Sequence, residues 1–454
     1  MSTSLIRSAF IASVALLAHT APMSSALAAP VLMVSIDGMR PDDVLDAEQH
    51  GLSLPTLHGL ADNGAVATSV RNVLPTITYP NHTTLITGVF PSRHGVVSNT
   101  TFDPLGKNMG GWMWYAEDIK VPTLWDTVKA HGGKVASVGW PVSVGARSID
   151  FNIPEFWRAR TSEDEKLVRA VSTPGLPEAI ERATGVPFSR VALEGEDRDD
   201  ALMAWVPAIM ATCKPRLFTV HLVTLDEARH KFGPYSPEAR ATLERIDRDL
   251  KPMIEKARAA MPGLVVAIVS DHGFGPVEKG LNLEAAFVAD GLVTLDTKGK
   301  VADWSAMPWI TGGSAAIMLK DPTDKSVEER VRTLLDKLAA DPANGINKIM
   351  DRAAIAHFGG NPAASFWVDL KAGFIPTLSA SKDLLVDVSY KGMHGYAPDN
   401  AAMSSSFILS GPGIAHEKLG VIDMRDIAPT IGHILEAPLP SADGHVLPVM
   451  TVGK

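Results

Sequence analysis

The arrangement of apolar residues predicts a mostly parallel α/β sheet. After residue 30, short continuous apolar runs alternate with segments whose apolar residues recur at helical spacing. Four of these runs are predicted as strands: Val31 to Ile36, Leu217 to Leu225, Leu264 to Ser270 and Phe407 to Leu409. Their continuous apolar character indicates strands that are buried on both faces by helices.

Helical periodicity is clearest between the second and third of these strands. Ser236-Pro237 predicts the start of a helix, because serine is a preferred N-cap and proline suits the first helical turn. The apolar positions that follow keep the helical period: Leu243, Ile246, Leu250, Ile254 and Ala257. A further helix is predicted after Asp423, with Ile427, Ile431 and Ile434 among its apolar residues.

Aspartates stand at the ends of three predicted strands. Asp37, Asp226 and Asp271 each come at or just after the last apolar residue of a run. Open α/β sheets bind their ligands outside the carboxyl ends of the strands. Three strands that each deliver an aspartate to one edge therefore predict a metal site at that edge.

Two segments interrupt the alternation of strands and helices. Residues 149–216 are rich in Pro, Arg and Glu and show little strand pattern, whereas residues 282–392 contain a predicted strand, Ala315 to Leu319. A capping box from Ser326 to Glu329 predicts the start of a helix in the second segment. We predict that both segments are insertions that cap the site, within one catalytic domain of residues 29–450.

The first 28 residues have the pattern of a secretory signal peptide. Arg7 is followed by a short apolar stretch from Ala9 to Ala18, and Ala26-Leu27-Ala28 is an A-x-A cleavage site. The stretch is shorter than the roughly 18 apolar residues that a membrane span needs, and no later segment reaches that length. The sequence therefore predicts a secreted or periplasmic protein without a membrane span after signal removal.

Charge and cysteine content narrow the classes of function. The formal net charge of −9 argues against a nucleic-acid-binding module, which normally carries a basic surface. It leaves room for an anionic substrate, because bound cations would set the local potential. Cys213 is the single cysteine, which excludes an internal disulfide and a cysteine-rich zinc site.

The candidate metal ligands lie in four short motifs. These are Asp37 in I-D-G-M-R, Asp226 and His230 in D-E-A-R-H, Asp271 and His272 in S-D-H-G-F, and His394 in G-M-H-G. Three aspartates and three histidines suit zinc, which takes carboxylate and imidazole ligands. The spacing of four between Asp226 and His230 places both side chains on one face as the chain enters a helix.

Thr78 is the candidate nucleophile. It lies in P-T-I-T-Y-P-N-H, just before a helical pattern that begins after Pro80. Free N–H groups and the dipole at a helix start favour an anion there. A threonine hydroxyl is a poor nucleophile unless a base or metal removes its proton, and two metals about 4 Å apart would serve both the attacking and the leaving oxygen. Tyr79, beside Thr78, is expected to border the substrate.

These motifs together resemble those of the nucleotide pyrophosphatase/phosphodiesterase family of the alkaline phosphatase superfamily. The segments that carry the resemblance are Asp37-Gly38, Thr78-Tyr79-Pro80-Asn81-His82, Pro91 to Asn99, Trp140-Pro141, Asp226 to His230, Asp271-His272-Gly273 and His394-Gly395. They follow the family's order and span most of the chain. The resemblance implies an alkaline-phosphatase-like α/β fold, a mixed sheet sandwiched by helices, with cap insertions.

The resemblance also implies roles for these residues. The implied ligand sets are Asp226, His230 and His394 for one Zn²⁺, and Asp37, Asp271 and His272 for the other. Thr78 would bridge toward the second ion and attack a small phosphate ester, with a nucleotide as one candidate, to form a phosphothreonine. Asn99 and the backbone N–H of Tyr79 would bind a phosphate oxygen.

The chain departs from the family pattern at two positions near Asp226. Arg229 stands where the family usually has glycine, and His221 stands where it usually has tyrosine. That tyrosine belongs to the wall that stacks a nucleotide base. The departure leaves the preference for nucleotides open, while all the expected metal ligands are present.

Other functions stay open on the same motifs. A phosphonate hydrolase of the phosphonoacetate hydrolase kind would share the metal set but lacks the Tyr-Pro-Asn-His context. A phosphomonoesterase would need a further positive group, which Arg158, Arg160 or Arg229 could supply. A phosphoryl transferase would usually carry a membrane anchor, and a zinc-binding protein without turnover would have no need of an intact nucleophile.

Overall fold

The computed structural model describes residues 29–108 and 111–451, and the predicted signal peptide lies outside these residues. The strands of the described residues are β1 (Val31–Ile36), β2 (Ala65–Val66), β3 (Ser69–Arg71), β4 (Val135–Val138), β5 (Phe151–Ile153), β6 (Leu217–Leu222), β7 (Val265–Val269), β8 (Gly275–Asn282), β9 (Val293–Leu295), β10 (Val301–Trp304), β11 (Ala306–Ile310), β12 (Ser314–Leu319), β13 (Ile346–Asp351), β14 (Ala364–Leu370), β15 (Gly373–Thr377), β16 (Leu385–Asp387), β17 (Gly392–Met393), β18 (Phe407–Ser410), β19 (Glu417–Lys418) and β20 (Val421–Asp423).

The helices pack on both faces of the main sheet and beside a second sheet. They are α1 (Pro41–Leu45), α2 (Pro55–Asp62), α3 (Thr78–Thr87), α4 (Pro91–His94), α5 (Leu124–Ala130), α6 (Ser162–Val171), α7 (Leu176–Thr184), α8 (Ser189–Ala192), α9 (Arg198–Cys213), α10 (Thr224–Phe232), α11 (Pro237–Ala260), α12 (Leu283–Ala289), α13 (Lys325–Ala340), α14 (Arg352–His357) and α15 (Ile427–Ile434). None of the helices in the described part of the chain is long and apolar enough to cross a membrane.

The main sheet is mixed and has eight strands, in the order β19-β2-β18-β7-β1-β6-β4-β5. The five strands from β7 to β5 are parallel to their neighbours, while β18 runs antiparallel to both β7 and β2. The parallel arrangement brings the carboxyl ends of β1, β6 and β7 to one edge of the sheet. The sequence prediction of a mostly parallel α/β sheet is therefore confirmed.

Both faces of this sheet are covered, which explains the continuous apolar runs. Successive side chains of a strand point to opposite faces. In β1, Leu32 and Val34 join the core beneath α2, α9 and α11, whereas Val31 and Met33 join the core beneath α3, α5 and α15. Each apolar residue of the run is thus buried on one side or the other.

The end of β6 and the start of α13 differ from the sequence prediction. β6 ends at Leu222, three residues earlier than predicted, because α10 already begins at Thr224. α13 begins after Asp324, whose carboxylate accepts the N–H groups of Ser326 and Val327. The predicted capping box from Ser326 is therefore wrong. The prediction for α11 is confirmed, since Ser236 caps it by accepting the N–H of Ala239.

Residues 149–216 are more closely integrated into the main domain than a cap insertion would be. β5 pairs with β4 as the edge strand of the main sheet, and residues of α7 and α9 belong to the same core as α11. The expected lack of strands fails here because a three-residue strand has too short a pattern to recognise. The loop after β5 nevertheless reaches the site, where Glu155 and Trp157 line a cleft.

Residues 282–392 form a distinct unit with its own core. Its four strands pair in the order β11-β12-β14-β13, all antiparallel, and α12 and α13 pack against them. The predicted strand from Ala315 to Leu319 is confirmed as most of β12. The unit borders the site through a loop near Ile310 and through residues around Tyr390.

Candidate active site

The carboxyl edge of the main sheet brings the predicted site residues together. Asp37 directly follows β1, Asp271 lies two residues after β7, and Asp226 lies in the first turn of α10 after β6. Gly38 makes the turn after β1 with a φ of +72°, and a Cβ there would lie 2.6 Å from the ring of Phe274. The tight turn aims Asp37 at the edge rather than along the strand.

Asp37, Asp271 and His272 form the inner group of the site. The Nε2 atom of His272 lies 3.3 Å from Oδ1 of Asp37 and 3.1 Å from Oδ2 of Asp271. The other oxygen of Asp271 accepts the N–H of Gly38 at 3.1 Å. All three residues are buried.

Asp226, His230 and His394 form the outer group. On α10, Nε2 of His230 lies 3.4 Å from Oδ2 of Asp226, as the spacing of four predicts. Nε2 of His394 lies 3.6 Å from the other oxygen of Asp226. Gly395 fixes the turn after His394, since its φ is +86° and a Cβ would lie 2.1 Å from a carbonyl oxygen.

The two groups adjoin through their histidines. The rings of His272 and His394 stack with their centroids 3.6 Å apart. Ligand atoms of Asp226, His272 and His394 lie within 4.8 Å of one another, as do those of Asp37, Asp271 and His272. His272 thus lies near both groups. His230 lies beside Oδ2 of Asp226, whereas His394 lies beside Oδ1.

Unpaired carboxylate oxygens indicate that this cluster suits cations. Among the described residues, Oδ1 of Asp37, Oδ1 of Asp226 and Oδ2 of Asp271 are buried and accept no hydrogen bond. Burying such atoms without a partner costs free energy, which a bound cation would offset. The donor set of carboxylates and imidazoles fits two metal ions of the zinc type.

The pKa shifts within the cluster also indicate a site for cations. Burial raises the pKa of Asp226 and of Asp271 to about 7, and burial together with the neighbouring carboxylates raises the pKa of Asp37 well above its usual range. Burial lowers the pKa of His230 to about 4. Neutral imidazoles are the form that binds metal, while the carboxylates need positive charge nearby to ionise.

Thr78 lies at the start of α3, beside the inner group. It is the first residue of the helix, and its Oγ1 lies 3.4 Å from Nε2 of His272. The helix begins three residues earlier than the pattern after Pro80 predicted. The position puts the hydroxyl where unpaired helix N–H groups and the dipole favour a negative charge.

Asn99 lies next to the nucleophile, but in a different relation to Tyr79 from the one expected. Its Oδ1 accepts the backbone N–H of Tyr79 at 2.8 Å. The two groups expected to bind phosphate together are therefore bonded to each other, which leaves the Nδ2 group of Asn99 as the donor. The Tyr79 ring is fully buried and packs edge-on against Trp112 at 5.2 Å, and both residues line the cleft beside Thr78.

Two clefts meet above the site. The larger, of about 830 Å³, contains the aromatic ring of Trp157 and the carboxylates of Glu155, Glu194 and Glu227. The second, of about 640 Å³, is lined mainly by apolar residues, including Ile310 and Ile375. Trp112, Asn99 and Tyr390 border both clefts, so a substrate with two arms has a separate space for each.

Comparison with known sequences decides the family. The sequence model of the type I phosphodiesterase / nucleotide pyrophosphatase family matches residues 31–397. The chain belongs to this family. It is therefore a hydrolase of phosphoric diesters, in a family whose members are typically metal-dependent.

Relatives in the family differ in how much of their length matches. An uncharacterised pyrophosphatase/phosphodiesterase of Schizosaccharomyces pombe is 26% identical over 428 residues, which cover 91% of this chain and 78% of the yeast protein. Human ectonucleotide pyrophosphatase/phosphodiesterase family member 1 is 26% identical over 256 residues, which cover 54% of this chain. That match spans only 23% of the human protein's length.

Solved structures of family members share the fold. Human ectonucleotide pyrophosphatase/phosphodiesterase 5 superposes with a TM-score of 0.64 at 22% identity, covering 91% of this chain and 97% of the human one. An inactive variant of the murine protein, solved in complex with AMP, gives a TM-score of 0.63 at 21% identity. The predicted alkaline-phosphatase-like fold is confirmed.

The two departures from the family pattern have structural explanations. The guanidinium of Arg229 is buried, donates to both carboxylate oxygens of Asp43 at 2.7 Å and to the carbonyl of Gly38 at 2.6 Å, and so braces the turn that carries Asp37. His221 is fully buried beside Asp37 instead of presenting a ring to the cleft. Of the other arginines considered, Arg160 donates to Glu194 at 2.6 Å.

Sequence reasoning missed the contribution of residues 155–157. Glu155 contacts His221 at 2.8 Å, and Trp157 packs near Trp112 with ring centroids 5.8 Å apart. Trp114 stacks on Phe156 instead of lining the site. No motif marks these residues, and the only signal in the sequence was the unusual histidine at position 221.

Proposed function

We propose that the chain is a secreted two-zinc phosphodiesterase that acts through a phosphothreonine at Thr78. The observation that carries the proposal is the position of the Thr78 hydroxyl, 3.4 Å from Nε2 of His272 at the junction of the inner and outer groups. The six ligands would be those of the inner and outer groups, three for each Zn²⁺. Secretion rests on the signal-peptide pattern of the first 28 residues.

The reaction would proceed in two displacements. Two cations, when bound, lower the pKa of a coordinated hydroxyl and stabilise the charge of a leaving oxygen. Oγ1 of Thr78 loses its proton and attacks phosphorus, and one ester oxygen leaves as an alcohol or a phosphate. Water then attacks the phosphothreonine, so that Oγ1 recovers a proton and the phosphoryl product departs. Asn99 would donate its Nδ2–H to a non-bridging oxygen throughout.

A diester suits the charges around Thr78 better than a monoester. Arg229 is committed to Asp43 and Gly38, and Arg160 to Glu194, so neither is free in this geometry to hold a third phosphate oxygen. A diester carries one negative charge and needs space for a second arm, which the two clefts provide. The AMP complex of the murine relative supports a nucleotide as one candidate substrate.

Replacing Thr78 tests the proposal directly. Thr78→Ala should lose several orders of magnitude in kcat on bis-p-nitrophenyl phosphate, whereas Thr78→Ser should keep substantial activity because the attacking oxygen remains. Thr87→Ala is a matched control, since Thr87 is also buried on α3 and its hydroxyl only bonds the carbonyl of Thr83. The proposal fails if Thr78→Ala and the parent turn over equally.

A further inference from the structure

His221 occupies a position that neither metal group explains. It lies on β6, one strand away from Asp37, and its side chain is 1% exposed. Its Nε2 is 3.0 Å from Oδ2 of Asp37, and its Nδ1 is 2.8 Å from Oε2 of Glu155 and 3.0 Å from the carbonyl oxygen of Gly139. The ring therefore connects a predicted metal ligand to a second buried carboxylate.

The partners of the ring determine what it does. All three contacting atoms are acceptor oxygens, so the imidazole donates a hydrogen bond from each nitrogen. The bond to Asp37 engages Oδ2 only. Oδ1 of the same carboxylate accepts no hydrogen bond and points toward His272 at 3.3 Å. One oxygen of Asp37 is thus held from behind while the other faces the inner group.

Glu155 makes this arrangement rigid. Its side chain is only 6% exposed, and it contacts the Nδ1 side of the ring, which fixes the ring plane and directs Nε2 at Asp37. A buried carboxylate is costly unless it is paired, so its burial beside His221 indicates a specific interaction and not general packing.

We propose that Glu155 and His221 are positioning residues for the inner metal. Through the Nε2–H bond, His221 would hold Asp37 with Oδ1 turned to the ion, and Glu155 would hold His221. Partners behind metal ligands of this kind typically change metal affinity by about 10- to 100-fold. The proposal rests on the proposed function, because it requires a metal at the inner group.

The assignment also explains the absence of a stacking ring at position 221. A histidine that is bonded on both sides and buried under the cleft has no face to offer a substrate. The position that resembles a substrate-reading tyrosine in the family would here serve the metal instead. Changes at His221 should therefore act on metal affinity before they act on KM.

Zinc binding to the inner group alone provides the test. In an Asp226→Asn background, which removes a ligand of the outer group, zinc affinity is measured by competition with a chromophoric chelator. His221→Phe should weaken binding by about 10- to 100-fold, Glu155→Gln by less, and His221→Gln, which keeps one donor, should recover part of the loss. His94→Phe is the control, because His94 is equally buried and its ring forms hydrogen bonds with Thr84 and Val96, outside both groups.

The outcomes separate this proposal from the proposed function. The positioning role is overturned if folded His221→Phe binds zinc with the parent's affinity, or if its loss of zinc affinity equals that of His94→Phe. If circular dichroism shows that His221→Phe does not fold, Glu155→Gln provides the test instead. Zinc affinity equal to the parent's in Glu155→Gln would then overturn the positioning role. A parent protein that binds no zinc instead refutes the proposed function.

Discussion

The inner and outer groups of the site differ in composition and in support, since the inner group has two aspartates and one histidine and the outer group has one aspartate and two histidines. The side chains of Asp37, Asp271 and His272 are 5%, 0% and 0% exposed, against 15%, 20% and 8% for Asp226, His230 and His394. The inner aspartates follow central parallel strands and have hydrogen bonds on their second oxygens. The outer group sits on α10 and a loop, and it faces both clefts.

This difference suggests a division of labour at one sheet edge. A buried group held by strands keeps its geometry fixed, which suits activation of Thr78 beside His272. A partly exposed group that borders the clefts can meet substrates of different shape and stabilise the leaving oxygen. The family resemblance gives each ion its own three ligands but does not distinguish the groups in this way.

The largest expected effect comes from breaking the inner group. Asp271→Asn should empty the inner site and lower kcat/KM by several orders of magnitude, because the Thr78 hydroxyl then lacks its activating ion. Asp226→Asn should also cost activity but less, since the inner ion remains. Steady-state kinetics and elemental analysis measure both effects.

Asp369→Asn is the matched control for these variants. Asp369 is a buried aspartate of the second sheet that accepts the N–H of Ala397 at 2.7 Å, outside both groups. It should lower thermal stability without changing the metal content of two ions per chain. An Asp271→Asn enzyme that retains both ions would contradict the assignment of the inner group.

A chelator should remove the two ions in order. The outer ion should leave first, with an affinity weaker by about tenfold or more, because its ligands are more exposed and have fewer hydrogen-bonded supports. Activity should fall with the first ion released, while thermal stability falls mainly with the second. Stepwise dialysis against a weak chelator, followed by metal analysis and calorimetry at each step, measures the order. Simultaneous loss of both ions would show that the groups bind as one unit.

The substrate preference should reflect what faces the outer group. We expect kcat/KM for aryl phosphodiesters to exceed that for matched monoesters by at least about tenfold, which is ~1.4 kcal/mol in transition-state binding. Arg160 lines the same cleft as Asn99 but is paired with Glu194. Because His221 is buried, nucleotide diesters should gain little over simple aryl diesters.

A single substitution sharpens this expectation. Glu194→Gln should release Arg160 toward the cleft and narrow the gap between diester and monoester by a few-fold, while Glu163→Gln, on the exposed start of α6 and paired only with Lys166, should leave it unchanged. Monoesters cleaved by the parent as fast as diesters would overturn the diesterase preference and leave the threonine chemistry intact.

The sequence could predict the fold and the grouping of ligands because both follow local rules. Apolar runs indicate buried strands, and the residues that follow parallel strands lie at one edge of the sheet. Asp37 and Asp271 therefore meet although they are 234 positions apart in the sequence. The spacing of Asp226 and His230 is a helical period. The catalytic and metal-binding roles of these residues stay predictions.

The contacts that the sequence could not predict depend on packing between distant segments. His221 and Glu155 are 66 positions apart, with no shared period or motif, and they meet because β5 joins the edge of the main sheet. Arg229 is similar, since its bond to Asp43 spans 186 positions. The predicted start of α13 was wrong for a different reason. Asp324 and Ser326 are both good N-cap residues, and only the three-dimensional turn selects between them.

The smallest expected effect concerns the charge that both groups share in the metal-free protein. The pKa values of Asp226 and Asp271 are both raised by burial to about 7, from about 3.9 for an exposed carboxyl. A carboxyl with a raised pKa binds protons more tightly when folded, so stability falls as the pH rises toward the folded pKa. Buried histidines such as His272 and His394, whose pKa is lowered, act in the opposite direction, but only below the unfolded histidine value of about 6.5.

Above neutral pH the carboxyls act together with His221, whose pKa burial lowers but Glu155 and Asp37 raise well above its usual value, so both kinds of group lose protons and stability as the pH rises. The melting temperature of the metal-free protein should fall by about two degrees as the pH rises from about 6.5 to about 8, through the pKa values of Asp226 and Asp271. Zinc should abolish the fall, because bound cations keep the carboxylates ionised at every pH in the range. Asp226→Asn and Asp271→Asn should each remove a similar share of it, since burial raises the pKa of both carboxyls to about 7. If only Asp271→Asn removes the fall in melting temperature, then solvent screens the charge of the outer group. If the metal-free protein shows no fall at all, the argument that the cluster requires cations is refuted.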